Sequence, residues 1–210
     1  MSFTDHDLEY LDDVHQPLGP VLEEMLSAGR REDIPILRPE AGRLLRVLVT
    51  AMAPKRVVEI GTAIGFSTLW MASALPADGR IDTIDPDRSR TDRARRYWLR
   101  AGVSERIRVI NEPALRVLPR LAAGIEFAFI DALKPEYVAY LDGLLPKMAP
   151  GGMITVDNVL WSGRIAAGQH DRDTDALRAF NQHFLNHEQL EATIVPVGDG
   201  LGIGVVRPHG

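Results

Sequence analysis

The 210-residue chain contains no cysteine, which excludes disulfides, thiolate metal sites and thiol nucleophiles. No apolar run approaches the roughly 20 residues that a membrane-spanning helix requires. The opening Met1-Ser2-Phe3-Thr4-Asp5-His6-Asp7 is acidic and polar, unlike a signal or transit peptide, so a cytoplasmic location is expected. A basic excess is missing too. Lys and Arg number 24 against 29 Asp and Glu, a net charge of −5, which argues against a general nucleic-acid binder. Internal repeats and low-complexity segments are absent. With 45% hydrophobic and 25% charged residues, the chain suits one soluble domain with a small N-terminal addition.

The positive charge is nonetheless uneven. Arg88, Arg90, Arg93, Arg95, Arg96, Arg100, Arg106 and Arg108 fall close together, most of them on one amphipathic helix and the strand after it. They read as a solvated face, with an RNA-facing patch as the alternative.

Hydrophobic periodicity divides the chain in two. Residues 5 to 30 carry two short helical patterns separated by Pro17 and Pro20, with stripes Leu8, Leu11, Val14 and Val21, Leu22, Met25, Leu26. Pro35 and Pro39 bracket an extended piece, and a helix from about Glu40 to Ala53 buries Leu44, Leu45, Leu48 and Val49 before Pro54 stops it. From there strands at 56–60, 80–84, 106–110, 125–130 and 153–156 alternate with helices at 66–75, 87–101, 113–122, 135–148 and 173–187. Such alternation specifies a doubly wound, mostly parallel α/β sheet covered on both faces. The last two strands, 192–197 and 203–207, are joined through Gly198-Asp199-Gly200-Leu201-Gly202 as a hairpin, so the sheet should end with an antiparallel pair.

The segment Val57-Val58-Glu59-Ile60-Gly61-Thr62-Ala63-Ile64-Gly65-Phe66-Ser67 passes from buried strand through a glycine turn into a helix. That is where an α/β protein brings backbone N–H groups close to a ligand. The spacing is E-I-G-T-x-x-G, not G-x-G-x-x-G, and no Lys-Ser/Thr follows as a P-loop needs. Glu59 at the strand end would face a pyrophosphate badly and a cationic ligand well. A positively charged nucleoside, S-adenosylmethionine, meets that condition; an ordinary strand-turn-helix is the alternative.

Ligands of doubly wound sheets bind outside the carboxyl ends of the strands. The second strand is followed by Asp85, placed to accept ribose hydroxyls or to cap the next helix, a role that also suits Asp87. Asn111, Glu112, Pro113 and Ala114 follow the third and offer an adenine edge. The fourth and fifth end in Asp131 and in Asp157-Asn158, three hard oxygen donors with no His or Cys among them, a set that suits Mg2+ or a similar divalent cation. Lys134 lies three residues beyond Asp131. Beside a metal it could serve as a general base; otherwise it is a solvated lysine opening a helix.

Together, V-V-E-I-G-T-A-I-G-F-S-T, F-I-D-A-L-K-P-E-Y, P-G-G-M-I-T-V-D-N-V-L-W-S-G and P-V-G-D-G-L-G-I resemble the cation-dependent, catechol-type class I O-methyltransferases over about Ile36 to Arg207. The resemblance implies a seven-stranded sheet with an antiparallel final strand and S-adenosylmethionine at the first three strand ends. It divides the chain into an N-terminal helical cap or dimerisation segment, 1–38, and a methyltransferase domain, 39–210. Glu59, Gly61, Thr62 and Gly65 would line the methionine side, Ser67 would bond its carboxylate, Asp85 the ribose, and Ala114 would approach the adenine. Asp131, Asp157 and Asn158 match the metal ligands, with Asp131 also bordering the donor, Lys134 matches the catalytic base, and Trp161 a substrate wall, a core or interface role being its alternative. Two positions depart from the family pattern: Leu133 replaces the second Asp of F-I-D-A-D-K, and Asp85 replaces the commoner Glu.

The implied reaction is methyl transfer to a metal-acidified hydroxyl of a catechol or other small phenol or vicinal diol, by a homodimer. D-I-P-I-L and P-K-R-V-V-E-I-G-T-A-I-G-F-S are also similar to the branch that methylates 5-hydroxyuridine in tRNA, where Arg30, Arg31, Arg38, Arg43 and Arg46 would meet the RNA backbone. A non-catalytic nucleoside sensor is a third class. Retention of Lys134 and of Asp157-Asn158 argues against it.

Overall fold

Seven strands form one sheet in the computed structural model, which describes residues 4–208. They are β1 (Arg56–Ile60), β2 (Arg80–Ile84), β3 (Ile107–Ile110), β4 (Ile125–Ile130), β5 (Met148–Val156), β6 (Leu190–Val195) and β7 (Leu201–Val206). Their order is β3-β2-β1-β4-β5-β7-β6. The first five run parallel, and β7 lies antiparallel to both β5 and β6. The chain winds outward from β1 to β3, then returns to place β4 on the other side of β1. The carboxyl ends of β1 and β4 therefore border a topological switch point, where a crevice opens.

Among the described residues, eight α-helices accompany the sheet: α1 (Asp5–Val14), α2 (Pro20–Arg31), α3 (Pro39–Met52), α4 (Phe66–Ala72), α5 (Arg88–Arg100), α6 (Ala114–Val117), α7 (Tyr137–Leu144) and α8 (Arg172–Leu185). Period-2 alternation sends Val57 of β1 to one face and Val58 and Ile60 to the other. One core joins Val57, Ile81, Phe127 and Phe129 to Leu45, Val49, Leu69, Trp70 and Trp98 from α3, α4 and α5. The other joins Val58, Ile60, Ile130 and Val156 to Val117, Leu141, Leu144, Phe180 and Phe184 from α6, α7 and α8. Among the described residues, no helix is long and apolar enough to cross a membrane.

Prolines account for several departures from the sequence expectation. The helix expected at 113–122 is α-helical only over Ala114–Val117 and tightens to a 3-10 turn at Leu118–Arg120, where Pro119 supplies no N–H. Similar turns, holding Pro135 and Pro146, flank α7 and shorten the helix expected at 135–148. Strand β5 begins at Met148, five residues before the expected start at Met153. It carries Pro150 and Gly151 through a register irregularity opposite Ile125 and Phe127.

The arginine face is less free than its composition implies. Arg93 pairs with Glu32 and Arg100 with Glu24, fastening α2 to α5, and Arg108 pairs with Asp82 across neighbouring strands. On α1, Leu11 and Val14 of the expected apolar stripe are exposed, while the side chain of Leu8 and residues Met1–Phe3 lie outside the described residues.

Candidate active site

The turn after β1 needs glycine for two different reasons. Gly61 has φ +99°, and a Cβ there would lie 2.0 Å from the backbone oxygen of Asp131. Only glycine lets the end of β1 pass this close to the end of β4. Gly65 has φ +81° and caps α4 in the left-handed region. Its added Cβ would strike the Trp98 ring at 2.5 Å, and Trp98 Nε1 donates to the Gly65 carbonyl at 3.0 Å. Gly65 is thus occupied in packing the turn onto α5 and is not among the residues that line the cavity above it.

That cavity encloses about 840 Å³. Its walls include Gly61, Thr62, Ser67, Asp85, Ala114, Asp131, Lys134, Asp157, Asn158 and Trp161, contributed by the ends of β1, β2, β4 and β5 and the segments that follow β3 and β5. Pro35, Ile36 and Leu37, between α2 and α3, close one side, although they belong to neither the strands nor their turns.

Glu59 does not face this cavity. The expectation of a carboxylate presented to a cationic ligand is corrected by its complete burial beneath the turn. There Oε1 accepts from Ser67 Oγ at 2.6 Å, and Oε2 accepts from Thr83 Oγ1 at 2.6 Å and from Thr68 Oγ1. Thr62 Oγ1 joins the network through Thr83 at 2.6 Å. Burial pushes the Glu59 carboxyl up to about 7, against the opposing pull of the three hydroxyls. Ser67 correspondingly spends its proton on Glu59, although it stands at the cavity wall.

Asp85 is the fastener of the turn. Its Oδ2 accepts from the backbone N–H of Thr62 at 3.1 Å and of Ala63 at 2.8 Å, and its Oδ1 from that of Asp87 at 2.8 Å. Three of a carboxylate's roughly four acceptor positions are spent, leaving room for one further donor from the cavity. Asp87 caps α5 through Arg90 N–H at 3.1 Å.

At the ends of β4 and β5 the oxygens converge on a cation. Lys134 Nζ donates to Asp131 Oδ1 at 2.9 Å, Asn158 Oδ1 at 2.6 Å and the Tyr137 hydroxyl at 2.7 Å. Tyr137, fully buried, donates onward to the Asp157 carbonyl at 3.2 Å. Burial, followed by the Asp131 charge, holds the Asp157 carboxyl above the ordinary carboxylate range. Its Oδ1 is buried with no hydrogen-bond partner among the described residues. A buried acceptor left unpaired costs about 1–3 kcal/mol. The donor chemistry therefore fits a divalent cation: two hard oxygens, from Asp131 and Asn158, already hold a positive charge, and a third, Asp157 Oδ1, is unspent.

Two residues here accept backbone strain. Asn158 has φ +63° and Trp161 φ +52°, conformations that side-chain-bearing residues adopt at a cost. The Trp161 ring lies 5.6 Å from Lys134 Nζ, and Tyr140, Leu133, Asp173 and Asp199 complete the mouth. Sequence reasoning passed over Tyr137, Thr68, Thr83 and the Pro35–Leu37 wall. For Tyr137 a signal existed, since it stands three residues after Lys134 on the same helical turn. For Thr83 there was none, because its partner Glu59 lies on a neighbouring strand.

The comparisons with known proteins agree with this geometry. The family model described as O-methyltransferase matches residues 16–207. A catechol O-methyltransferase of Mycobacterium tuberculosis is 36% identical over 206 residues, covering 94% of each chain. A caffeoyl-CoA O-methyltransferase of Populus kitakamiensis is 33% identical over 77% of this chain and 74% of its own length. Among solved structures, the O-methyltransferase TomG of Streptomyces achromogenes, in complex with SAM, superposes with a TM-score of 0.86 at 29% identity, covering 95% of both chains. The chain belongs to the O-methyltransferase family and is a class I, S-adenosylmethionine-dependent O-methyltransferase.

Proposed function

We propose that the enzyme methylates one hydroxyl of a small catechol-like, phenolic or vicinal-diol acceptor and requires a divalent cation such as Mg2+. The observation that carries this reading is the pair Asp131 and Asn158 on the Lys134 amine, with Asp157 Oδ1 buried and unspent at the neighbouring strand end. These three residues would hold the cation. When bound, S-adenosylmethionine supplies an electrophilic methyl group, and a divalent cation acidifies the acceptor hydroxyl.

The chain's own residues divide the remaining work. Lys134, in its neutral amine form, is the base that takes the hydroxyl proton and becomes the ammonium, and Tyr137, hydrogen-bonded to it, orients its amine. Gly61 and Thr62 border the donor's methionine part, Asp85 offers its remaining acceptor position to the ribose, and Ala114 borders the adenine. Glu59 and Gly65 act from below, one anchoring Ser67 and the other seating the turn on Trp98. Trp161 is a wall for an aromatic acceptor. Leu133, on the same cavity, is exposed and apolar where the family pattern has a carboxylate. Methyl transfer joins a cationic donor to an anionic oxygen, so holding both in line and excluding water are what the protein must supply.

The cavity mouth supports a small acceptor over tRNA. Asp87, Glu136, Asp173 and Asp199 are among the acidic residues that line the cavity, against Arg90 and Lys134 as its cations. Such a rim repels a phosphate backbone. The relatives named catechol and caffeoyl-CoA O-methyltransferases point the same way. We further place residues 1–38 as a cap and dimer segment of a cytoplasmic homodimer, with the exposed Tyr10, Leu11 and Val14 of α1 facing the second protomer.

Labelled S-adenosylmethionine with Mg2+, offered a catechol panel and undermodified tRNA in parallel, tests the acceptor class. Label on a catechol is the expected result, and label on tRNA alone overturns it.

A further inference from the structure

We propose that the chain carries a second metal site, for a borderline transition-metal ion of the Zn2+ type, where α7 meets α8. Asp142 on α7, His183 on α8 and His187 just beyond the end of α8 place one ligand atom each within 4.8 Å of one another. His183 Nε2 already lies 2.8 Å from Asp142 Oδ1, and the two imidazoles meet edge to face with centroids 5.3 Å apart. An isolated His–Asp surface pair would account for the first contact. It leaves unexplained why a second imidazole, four residues further on, turns to the same point.

The donor set selects the ion. Two imidazoles and one carboxylate suit Zn2+, Ni2+ or Cu2+, whereas the oxygens of Asp131, Asp157 and Asn158 suit Mg2+. Three protein ligands leave one position of a tetrahedral ion for water, and the half-exposed side chains of Asp142 and His183 keep that position open to solvent.

The frame beneath the ligands is fixed. Leu141 and Phe184, the chain neighbours of Asp142 and His183, are fully buried. Phe184 stacks on Phe180 at 5.4 Å, and Phe180 meets the edge of Tyr137 at 5.4 Å. Binding requires the three donors, now within 4.8 Å of one another, to close by side-chain rotation to the ~2.0–2.2 Å bonds that Zn2+ makes. His187 Nδ1 accepts a long 3.2 Å bond from Gln189 N–H, which leaves Nε2 as the ring nitrogen to recruit.

Isothermal titration of the chain, prepared without a polyhistidine tag, with Zn2+ alone as probe and Mg2+ in large excess to fill the oxygen-rich pocket, tests the site. One high-affinity Zn2+ per chain is expected in the unmodified protein and in Asp157→Asn. His183→Gln and His187→Gln, with circular dichroism confirming their fold, should each weaken it by about 100-fold or more. An unmodified chain that takes up no Zn2+, a His187→Gln variant that binds as before, or loss of binding in Asp157→Asn instead would overturn the proposal.

Discussion

Replacing Glu59 with glutamine should flatten the pH dependence of stability that this buried carboxyl imposes. Its folded value of about 7 lies well above the ordinary 4.5, and burial is the main cause. The folded protein therefore binds more protons than the unfolded chain across that window, and stability falls as pH rises through it. The contribution is fully present below pH 4.5 and is lost as pH passes about 7. At about 1.4 kcal/mol per pH unit, the gap amounts to about 3 kcal/mol. For a chain of this size that corresponds to about 6–12 °C in Tm. Glutamine keeps the shape and cannot ionise, and the hydroxyls of Ser67, Thr68 and Thr83 can rotate to accept from its amide. Thermal melts followed by circular dichroism, from below pH 4.5 to above pH 7, give the Tm difference between Glu59→Gln and the unmodified chain at each pH. That difference should rise with pH by the stated amount. A constant difference would show that the three hydroxyls offset burial completely and would refute the reasoning.

Lys134→Ala should lower kcat by about 10²–10⁴, with the dissociation constant for S-adenosylmethionine unchanged by calorimetry; an unaltered kcat removes Lys134 as the base. Gly61→Ala places a Cβ 2.0 Å from the Asp131 carbonyl at φ +99° and should cost about 2–6 kcal/mol in urea unfolding. A change under about 1 kcal/mol would contradict the close approach of β1 to β4. Leu133→Asp restores a charge at an exposed position, worth up to about 1 kcal/mol, and should lower the half-saturating Mg2+ concentration up to about fivefold. A higher requirement for Mg2+ would reverse that assignment.

Much of the sheet was legible because β1 and β4 are short, largely apolar runs, β2 alternates apolar and polar residues, and the glycine turn marks its own position. The same strand-end rule put Asp131, Asp157 and Asn158 at one edge, and all three line one cavity. Glu59 shows the limit of such reading. A residue at a strand end can face the crevice or the layer beneath it, and what decided was hydroxyl partners on β2 and α4. The onset of β5 was missed because Pro150-Gly151-Gly152 reads as a turn, yet here the bulge lets the strand continue through it. Asp142 and His183 are 41 residues apart, and only the packing of α7 on α8 brings them together. The Pro35–Leu37 wall likewise lies outside the alternating pattern, so no periodicity could assign it to the cavity.

We propose a metal-dependent methyl transfer in which Asp131, Asp157 and Asn158 hold the cation. Methylation of a catechol, measured with labelled S-adenosylmethionine before EDTA, after EDTA and after Mg2+ is restored, tests it most directly. Activity that disappears in EDTA, returns with Mg2+ and is absent at all three stages in Asp157→Ala is the predicted result. A rate unaltered by EDTA would contradict the account.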